Sequence, residues 1–249
     1  MSKKNLVLIH GWGLNEEVWS NISEQLSNHY EVHLLSLPGY GKRHAETPKT
    51  TLDALADDLL SQAPESAIWC GWSLGGMAAL SAALRKPERF LALNLLCVTP
   101  KFVISEDWQQ GTDIQTFTKF ANDLSTDYKR GIQRFLLLQS GTSGDSKQIA
   151  KQAASALNKH PAPSSETLTS GLDILEKSDL RLGLPKLCVP CTVVSGSRDR
   201  VVPPQACAYL AHSIPDAGHV ELNSGHAPHL SHPEELIALL LSQASESSA

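Results

Sequence analysis

This sequence has few positively charged side chains, few long apolar runs and few cysteines. The 249 residues carry 26 acidic side chains against 21 Lys and Arg, a formal net charge of −5, which does not favour nucleic acid as a partner. The first apolar run, residues 6–9, is too short for a signal peptide or a membrane span. We therefore expect a cytoplasmic protein that does not enter a membrane.

The five cysteines lack the spacing of a disulfide framework, and an odd number fits reduced thiols in the cytosol. Cys188 and Cys191 form a Cys-x-x-Cys pair, which raises the question of redox activity. A redox cysteine of this kind needs a helix N-terminus to lower its pKa, whereas this pair precedes a predicted strand. We expect two packed thiols instead.

Short apolar runs alternate with helical patterns along most of the sequence, which indicates an α/β fold. We predict a mostly parallel central sheet with helices on both faces. Strands are predicted at residues 5–9, 31–36, 66–71, 90–98, 191–196 and 218–222. Helices are predicted between them at residues 18–26, 52–62, 74–86, 204–211 and 233–244.

The alternation fails between residues 105 and 184. Four amphipathic helices are predicted there, at residues 113–124, 128–138, 146–157 and 164–175, with no convincing strand. We interpret this stretch as a helical cap inserted between two strands of the sheet. The predicted organisation is a core formed by residues 1–104 and 185–249 and a cap formed by residues 105–184.

The stretch Gly71-Trp72-Ser73-Leu74-Gly75 places one hydroxyl between two glycines, where a predicted strand ends and a predicted helix begins. A sharp strand–turn–helix strains the serine backbone and lifts its hydroxyl clear of the sheet. It needs small residues on either side because the two backbones pass closely. Ser73 is therefore a candidate nucleophile. The alternative is a glycine-rich turn in which Ser73 only caps the helix.

A serine hydroxyl becomes an effective nucleophile when a histidine accepts its proton and a carboxylate orients that histidine. Asp199 and His226 both follow predicted strands, as Ser73 does. The carboxyl ends of parallel strands meet at one edge of a sheet. We predict that these three side chains converge there as a catalytic triad.

Rival residues lie near both partners. His219, His229 and His232 are close to His226 in the sequence, and Asp216 is a rival for the orienting carboxylate. The run His226-x-x-His229-x-x-His232 suggests a metal, but it lacks the i, i+4 pair and the glutamate of a zinc peptidase. We expect no metal site.

Acyl transfer also needs two N–H donors for the developing negative oxygen. We expect the first from Leu74, the residue after the nucleophile. The second is expected from Trp12, in the loop His10-Gly11-Trp12-Gly13 after the first strand. His10 is a second candidate base, but beside a glycine turn we expect it to support the loop through hydrogen bonds.

These motifs together resemble the α/β-hydrolase superfamily. The shared stretches are His-Gly-Trp-Gly at 10–13, Leu-Pro-Gly-Tyr-Gly at 37–41, Gly-Trp-Ser-Leu-Gly-Gly at 71–76 and Gly-His-Ala-Pro at 225–228. Within the superfamily, the sequence most resembles the pimeloyl-acyl-carrier-protein methyl ester esterases of biotin synthesis. That similarity is carried by Ala-Ile-Trp-Cys at 67–70, Arg-Phe-Leu-Leu-Leu-Gln at 134–139 and Gly-Leu-Asp-Ile-Leu at 171–175.

The resemblance implies a serine carboxylesterase that removes the methyl ester from a pimeloyl chain carried on acyl carrier protein and releases methanol. We expect it to act as a monomer without a cofactor. The resemblance places substrate against Trp12, Ser73, Leu74, His226 and the cap residues Phe135, Leu136, Leu137, Leu138 and Gln139. Phe135 is equally well explained as part of the cap core. A generic short-chain esterase, a thioesterase and a non-catalytic ligand receptor on the same scaffold stay open as alternatives.

Acyl carrier proteins are strongly acidic, so a carrier would have to meet local positive charge on this acidic protein. Arg130 and Arg134 are spaced i, i+4 on one predicted helix, and Lys147 and Lys151 repeat that spacing on the next. These positions match the basic residues that contact the carrier in the similar family, with lysine replacing arginine in the second pair. The alternative is a solvated helix face without a partner.

Overall fold

The structure is a computed structural model that describes residues 3–113, 115, 118–119, 122, 124, 126–139 and 146–245. Its centre is a six-stranded parallel sheet with the strand order β2-β1-β3-β4-β5-β6. The strands are β1 (Lys4–Ile9), β2 (Tyr30–Leu35), β3 (Ala67–Trp72), β4 (Phe90–Leu96), β5 (Cys191–Gly196) and β6 (Gly218–Leu222). All six predicted strands are confirmed.

The burial of the strands follows their place in the sheet. Every residue of β3 is buried, and so is all of β4 except one position. Since successive side chains of a strand point to opposite faces, both faces of the sheet are covered at its centre. The edge strands β2 and β6 are mostly half-buried or exposed. Continuous apolar sequence therefore marks the centre of the sheet.

Helices fill the connections between the strands. Those described are α1 (Ser20–Leu26), α2 (Leu52–Gln62), α3 (Leu74–Arg85), α4 (Tyr128–Gln139), α5 (Ser146–Leu157), α6 (Ser165–Lys177), α7 (Pro204–Ser213), α8 (Pro228–Ser231) and α9 (Pro233–Ser245). Capping side chains fix several starts: Thr51 Oγ1 accepts from Ala54 N–H at α2, and Asp127 Oδ1 accepts from Arg130 N–H at α4. α2 packs against α3, and α1 packs against α9.

Three of these helices, α4, α5 and α6, lie between β4 and β5, where the sequence predicts an inserted cap. α4 packs against α5, and α5 also contacts the short 3₁₀ turn Glu16–Trp19 and α8. The fourth predicted cap helix, residues 113–124, lies largely outside the described residues. The division at residues 104/105 and 184/185 stays a prediction.

An ion-pair cluster fastens the base of this inserted stretch to the core. The Arg181 guanidinium contacts Asp107 and Asp179 at 2.6 Å each, and it lies 5.5 Å from the centre of the Trp108 ring. Lys101 pairs with both carboxylates at 3.4 Å and forms a β-bridge with Asp179. The chain enters the inserted stretch near Lys101 and leaves it near Arg181, and these ion pairs hold the two segments next to each other.

Candidate active site

The turn at Ser73 joins β3 to α3 in a strained conformation. Ser73 has φ 54° and ψ −122°, a positive φ that L-residues rarely adopt. Its glycines are required by space: a Cβ at Gly71 would lie 2.6 Å from Gly76 Cα, and one at Gly75 would lie 2.3 Å from the His10 carbonyl oxygen. The alternative of a helix-capping serine lacks support, because the Ser73 side chain makes no capping hydrogen bond.

The structure brings the three predicted triad side chains into one hydrogen-bonded chain. Ser73 Oγ lies 3.0 Å from His226 Nε2, and His226 Nδ1 lies 2.7 Å from Asp199 Oδ2. A carboxylate only accepts, so Nδ1–H donates to Asp199 and Nε2 is left to accept the Ser73 proton. Each of the three residues is less than a tenth exposed. This is the geometry of an activated serine.

Backbone donors hold the Asp199 carboxylate in place. Its Oδ1 accepts from the N–H groups of Val201 and Val202, at 2.7 and 2.9 Å, which leaves Oδ2 for His226. The Cys97 thiol lies beside the pair, within 4.8 Å of the nearest Asp199 and His226 ligand atoms. Burial and then the Asp199 charge raise the pKa of this thiol well above its usual value, so it stays protonated.

Trp72, the residue before the nucleophile, fixes His226 from the other side. Its indole N–H donates to the His226 carbonyl at 2.7 Å, and the two ring centres are 5.5 Å apart. The sequence reasoning missed this role, because the two residues are 154 positions apart and the motif specifies no side chain there. The histidine is thus positioned by a carboxylate on its ring and by an indole on its backbone.

The rival residues lie elsewhere. His219 Nε2 bonds to Ser195 Oγ at 2.9 Å, and His232 Nδ1 bonds to Ser231 Oγ at 2.8 Å. Asp216 precedes β6, at the opposite edge of the sheet from Asp199. His229 is fully buried between Trp19 and Trp72, with ring centres 4.5 Å from each.

The oxyanion loop, defined as residues 10–14, lies directly beside the nucleophile turn. β1 and β3 are neighbours with Ile9 opposite Gly71, and a Cβ at Gly11 would lie 3.2 Å from Ser73 Cβ. Leu74 is the first residue of α3, so its N–H is a free helix-terminal donor beside Ser73. The oxyanion loop and the first residue of α3 therefore both lie beside Ser73. That the N–H groups of Trp12 and Leu74 bind the developing negative oxygen stays a prediction.

His10 supports this loop, as predicted. Its Nδ1 lies 2.8 Å from the Gly11 carbonyl, and its Nε2 accepts the Leu37 N–H at 3.0 Å. Because a carbonyl only accepts and an N–H only donates, the ring is neutral with its proton on Nδ1. Burial lowers the pKa of His10 to about 4. The bond to the Gly11 carbonyl fixes the peptide plane that carries the Trp12 N–H.

The Trp12 side chain faces the cap helices. Its indole N–H donates to the Leu168 carbonyl on α6 at 2.9 Å, and the residue is 3% exposed. The backbone of Gly171 on α6 packs directly against this ring, because a Cβ at Gly171 would be 2.4 Å from Trp12 Cδ1. The Gly-Leu-Asp-Ile-Leu stretch of the sequence therefore has a packing reason at its first residue.

The predicted cap residues are described in part. Leu136 is buried in the apolar core, whereas Leu137 is 42% exposed and lines a groove of about 480 Å³ between α4 and α5. Arg130, Arg134 and Lys151 are exposed. The side chains of Phe135, Leu138, Gln139 and Lys147 lie outside the described residues. Contact of these residues with substrate or carrier stays a prediction.

Two groups of side chains among the described residues offer metal-ligand atoms within 4.8 Å of one another: Cys97 with Asp199 and His226, and Glu16 with Glu17 and His160. In the first group the carboxylate and imidazole are bonded to each other, and the thiol is protonated. In the second, Glu16 accepts from Ser36 Oγ at 2.5 Å and Glu17 pairs with Lys159 at 2.7 Å. Hydrogen bonds within the protein therefore already engage both groups.

In the part of the chain that the structure describes, the helices are too short or too polar to cross a membrane.

Comparison with known proteins identifies the family of the chain. The model of the alpha/beta hydrolase family matches residues 6–239. The chain is 41% identical to the pimeloyl-[acyl-carrier protein] methyl ester esterase of Proteus mirabilis, over 97% of this chain and 92% of that protein. It is 38% identical to the protein of that name from Yersinia enterocolitica, over 98% and 94%.

Solved structures show the same fold at lower identity. An esterase from Exiguobacterium antarcticum superposes with a TM-score of 0.88 at 22% identity, covering 98% of this chain and 93% of that one. An enol-lactonase from Burkholderia xenovorans LB400 superposes with a TM-score of 0.83 at 22% identity, covering 99% and 93%. The chain therefore belongs to the alpha/beta hydrolase family and, within it, to the family of the pimeloyl-[acyl-carrier protein] methyl ester esterases.

Proposed function

We propose that this protein is a serine carboxylesterase that hydrolyses the methyl ester of pimeloyl-acyl-carrier protein and releases methanol in biotin biosynthesis. The observation that carries the chemistry is the chain of hydrogen bonds from Ser73 through His226 to Asp199. The substrate is supported by the names of relatives that are 37–41% identical over nearly the whole chain. We propose that Ser73, His226 and Asp199 are the catalytic residues and that Trp12 and Leu74 supply the oxyanion donors.

In the first half of the reaction, His226 Nε2 takes the proton of Ser73 as Oγ attacks the ester carbonyl carbon. The carbonyl oxygen becomes negative and is held by the N–H groups of Trp12 and Leu74. When this intermediate collapses, the bond to the methoxy oxygen breaks. His226 then gives its proton to that oxygen, so methanol leaves and the acyl group stays on Ser73.

Water completes the reaction through the same groups. His226 takes a proton from water as its oxygen attacks the acyl carbon, and the second intermediate is held by the same two N–H groups. Collapse breaks the bond to Ser73 Oγ, which recovers its proton from His226. The product is the free carboxylic acid. Asp199 stays ionised and holds His226 in the required tautomer throughout.

The proposed carrier surface consists of Arg130 and Arg134 on α4 with Lys147 and Lys151 on α5. The side chains of Arg130, Arg134 and Lys151 are exposed, and the two helices that carry them, α4 and α5, pack against each other. A protein with net charge −5 would attract an acidic carrier only through such a local surface. Charge complementarity would set the rate of encounter and the orientation of the carrier.

Methanol release from three substrates tests the proposal: methyl pimeloyl-carrier, the same methyl ester without carrier, and a p-nitrophenyl ester. We expect the highest kcat/KM for the carrier-bound ester. Equal kcat/KM for the two methyl esters would reduce the assignment to a generic esterase. Growth of a biotin-requiring host that lacks its own methyl esterase gives an independent measurement. Wild type should restore growth, and Ser73→Ala should not.

A further inference from the structure

A cap side chain reaches the oxyanion loop at Gly13. The Tyr128 hydroxyl of α4 donates to the Gly13 carbonyl at 2.8 Å. Gly13 has φ +76°, and the atoms nearest to a Cβ built there belong to Ile132, at 3.7 Å, and Leu124, at 3.8 Å. The start of α4 therefore lies directly over the turn that follows Trp12.

Two carbonyls of the loop are thus fixed from opposite directions. From the core, His10 bonds to the carbonyl of Gly11, and from the cap, Tyr128 bonds to the carbonyl of Gly13. The peptide N–H of Trp12 lies between these two anchors. Glycine adopts positive φ readily but also leaves it readily. A turn with a glycine on each side of its donor needs restraint at both ends to keep one geometry.

The same helix carries the proposed carrier surface on its other side. Tyr128 and Ile132 are four residues apart and share one face of α4. Arg130 and Arg134 lie about 200° further round at 100° per residue, and both are exposed. α4 therefore presents one face to the oxyanion loop and another to solvent.

We infer that Tyr128 is a positioning residue for the oxyanion hole, an inference that rests on the proposed esterase function. Its hydroxyl holds the Gly13 carbonyl, which keeps the Trp12 N–H aimed at the developing negative oxygen. The oxyanion hole is then built jointly by core and cap. Loss of a direct donor costs on the order of 10²–10³ in kcat, and a donor that is only loosened should lose less, about tenfold.

Tyr128→Phe removes the hydroxyl and keeps the ring. On a carrier-free methyl ester we expect kcat to fall about tenfold with KM within about twofold, because the missing interaction acts on the transition state. The pH at half-maximal kcat/KM should not move, because the triad is untouched. Tyr209→Phe is the matched control: this tyrosine packs edge-on against Trp108, and its variant should keep wild-type kcat. The melting temperature shows that both variants fold.

A reading independent of turnover comes from fluorophosphonate labelling, in which a phosphoryl oxygen occupies the oxyanion hole as Ser73 is modified. Tyr128→Phe should label about tenfold more slowly than wild type. Labelling distinguishes the proposed substrate from the proposed role of Tyr128. If methyl pimeloyl-carrier is not hydrolysed, the substrate assignment fails, whereas slow labelling still supports Tyr128 as a positioning residue. Unchanged kcat and labelling rate, a raised KM alone, or a shifted pH profile would overturn the inference.

Gly13→Ala provides a cycle with Tyr128→Phe. The surroundings of Gly13 admit a methyl at ordinary contact distance, so the variant should fold, but its positive φ is strained. If both changes act through the same turn, the double variant should lose much less than the product of the two single losses. Losses that multiply would show independent effects and contradict the inference.

Discussion

Two serine–histidine pairs in the described part of the chain join residues far apart in the sequence, and only one of them has the surroundings of a catalyst. Both members of that pair are buried, whereas His219 of the other pair is exposed. Ser73 Oγ lies 3.0 Å from His226 Nε2, and Ser195 Oγ lies 2.9 Å from His219 Nε2. Ser195 lies within β5 and His219 within β6, on extended backbone. Ser73 lies in a turn with φ 54°, and the second nitrogen of its histidine bonds to a carboxylate.

The distance between a serine and a histidine therefore does not make a nucleophile. A catalytic pair also needs an oriented tautomer, a hydroxyl lifted clear of the sheet, and N–H donors where charge develops. In the proposed site these come from the four loops that follow β1, β3, β5 and β6, at the carboxyl edge of one parallel sheet. The pair in β5 and β6 joins two neighbouring strands of the sheet, so it serves as a control built into the same chain.

The largest expected effect is on the nucleophile. Ser73→Ala should lower kcat for a methyl ester by on the order of 10⁴-fold or more, because no other described hydroxyl bonds to the triad histidine. Ser195→Ala removes an equally bonded hydroxyl and should stay within about threefold of wild type. Steady-state kinetics of the two purified variants measures both. Similar losses of kcat in the two variants would show that the surroundings of Ser73 do not set it apart from Ser195.

The Asp199 carboxylate is the next feature that distinguishes the Ser73–His226 pair from the Ser195–His219 pair. Asp199→Asn keeps the shape of the side chain but presents an amide to His226, which favours the wrong tautomer. We expect kcat to fall on the order of 10³–10⁴-fold with little change in KM. Asp216→Asn, at the other edge of the sheet, should have no effect on kcat. A small loss in Asp199→Asn would mean that another group orients the histidine.

Charge reversal on the cap distinguishes carrier binding from the hydrolysis reaction itself. The Arg130→Glu, Arg134→Glu double variant should raise KM for the carrier-bound ester by about 10- to 100-fold, and the effect should shrink as salt screens the charges. Hydrolysis of the carrier-free ester should not change. Lys177→Glu, which alters another exposed cap cation that pairs with Asp173, is the control. Equal KM values in wild type and the double variant would show that this surface does not bind the carrier.

The smallest expected effect concerns stability. Burial lowers the pKa of His10 to about 4, and burial with the nearby His226 lowers that of His229 to about 3. Both are neutral when folded but take up a proton near pH 6.5 when unfolded. The free energy of unfolding should therefore fall as pH drops below about 6.5, by up to about 1.4 kcal/mol per pH unit for each histidine. For His10 the loss is complete near pH 4.

His229 offers a direct test of this dependence. Neither of its ring nitrogens has a hydrogen-bond partner among the described residues, so His229→Phe should stabilise the protein by about 1 kcal/mol at pH 7 and flatten the slope below pH 6.5. Urea unfolding at pH 8, 6 and 5 measures both quantities. A less stable variant with the wild-type slope would show that the ring nitrogens of His229 have partners and that folding does not lower its pKa.

The sequence was informative where a position in a motif fixes a position in space. Ser73, Asp199 and His226 each follow a strand, and a parallel sheet brings such residues to one edge whatever the rest of the chain does. His10 was predicted to support its loop for a similarly local reason. Trp72 and Tyr128 were missed because their bonds to His226 and Gly13 span 154 and 115 positions. Such contacts depend on how the helices and loops finally pack, which no local pattern encodes.

The role of Ser73 as the nucleophile is tested most directly by locating a fluorophosphonate label by peptide mass spectrometry after reaction with the folded protein. We predict one label per chain, on the peptide that contains Ser73, and almost none on the peptide that contains Ser195. We also expect His226→Gln to slow the labelling of Ser73 strongly. A protein that hydrolyses methyl esters yet leaves Ser73 unlabelled, or carries the label on another serine, would contradict this role.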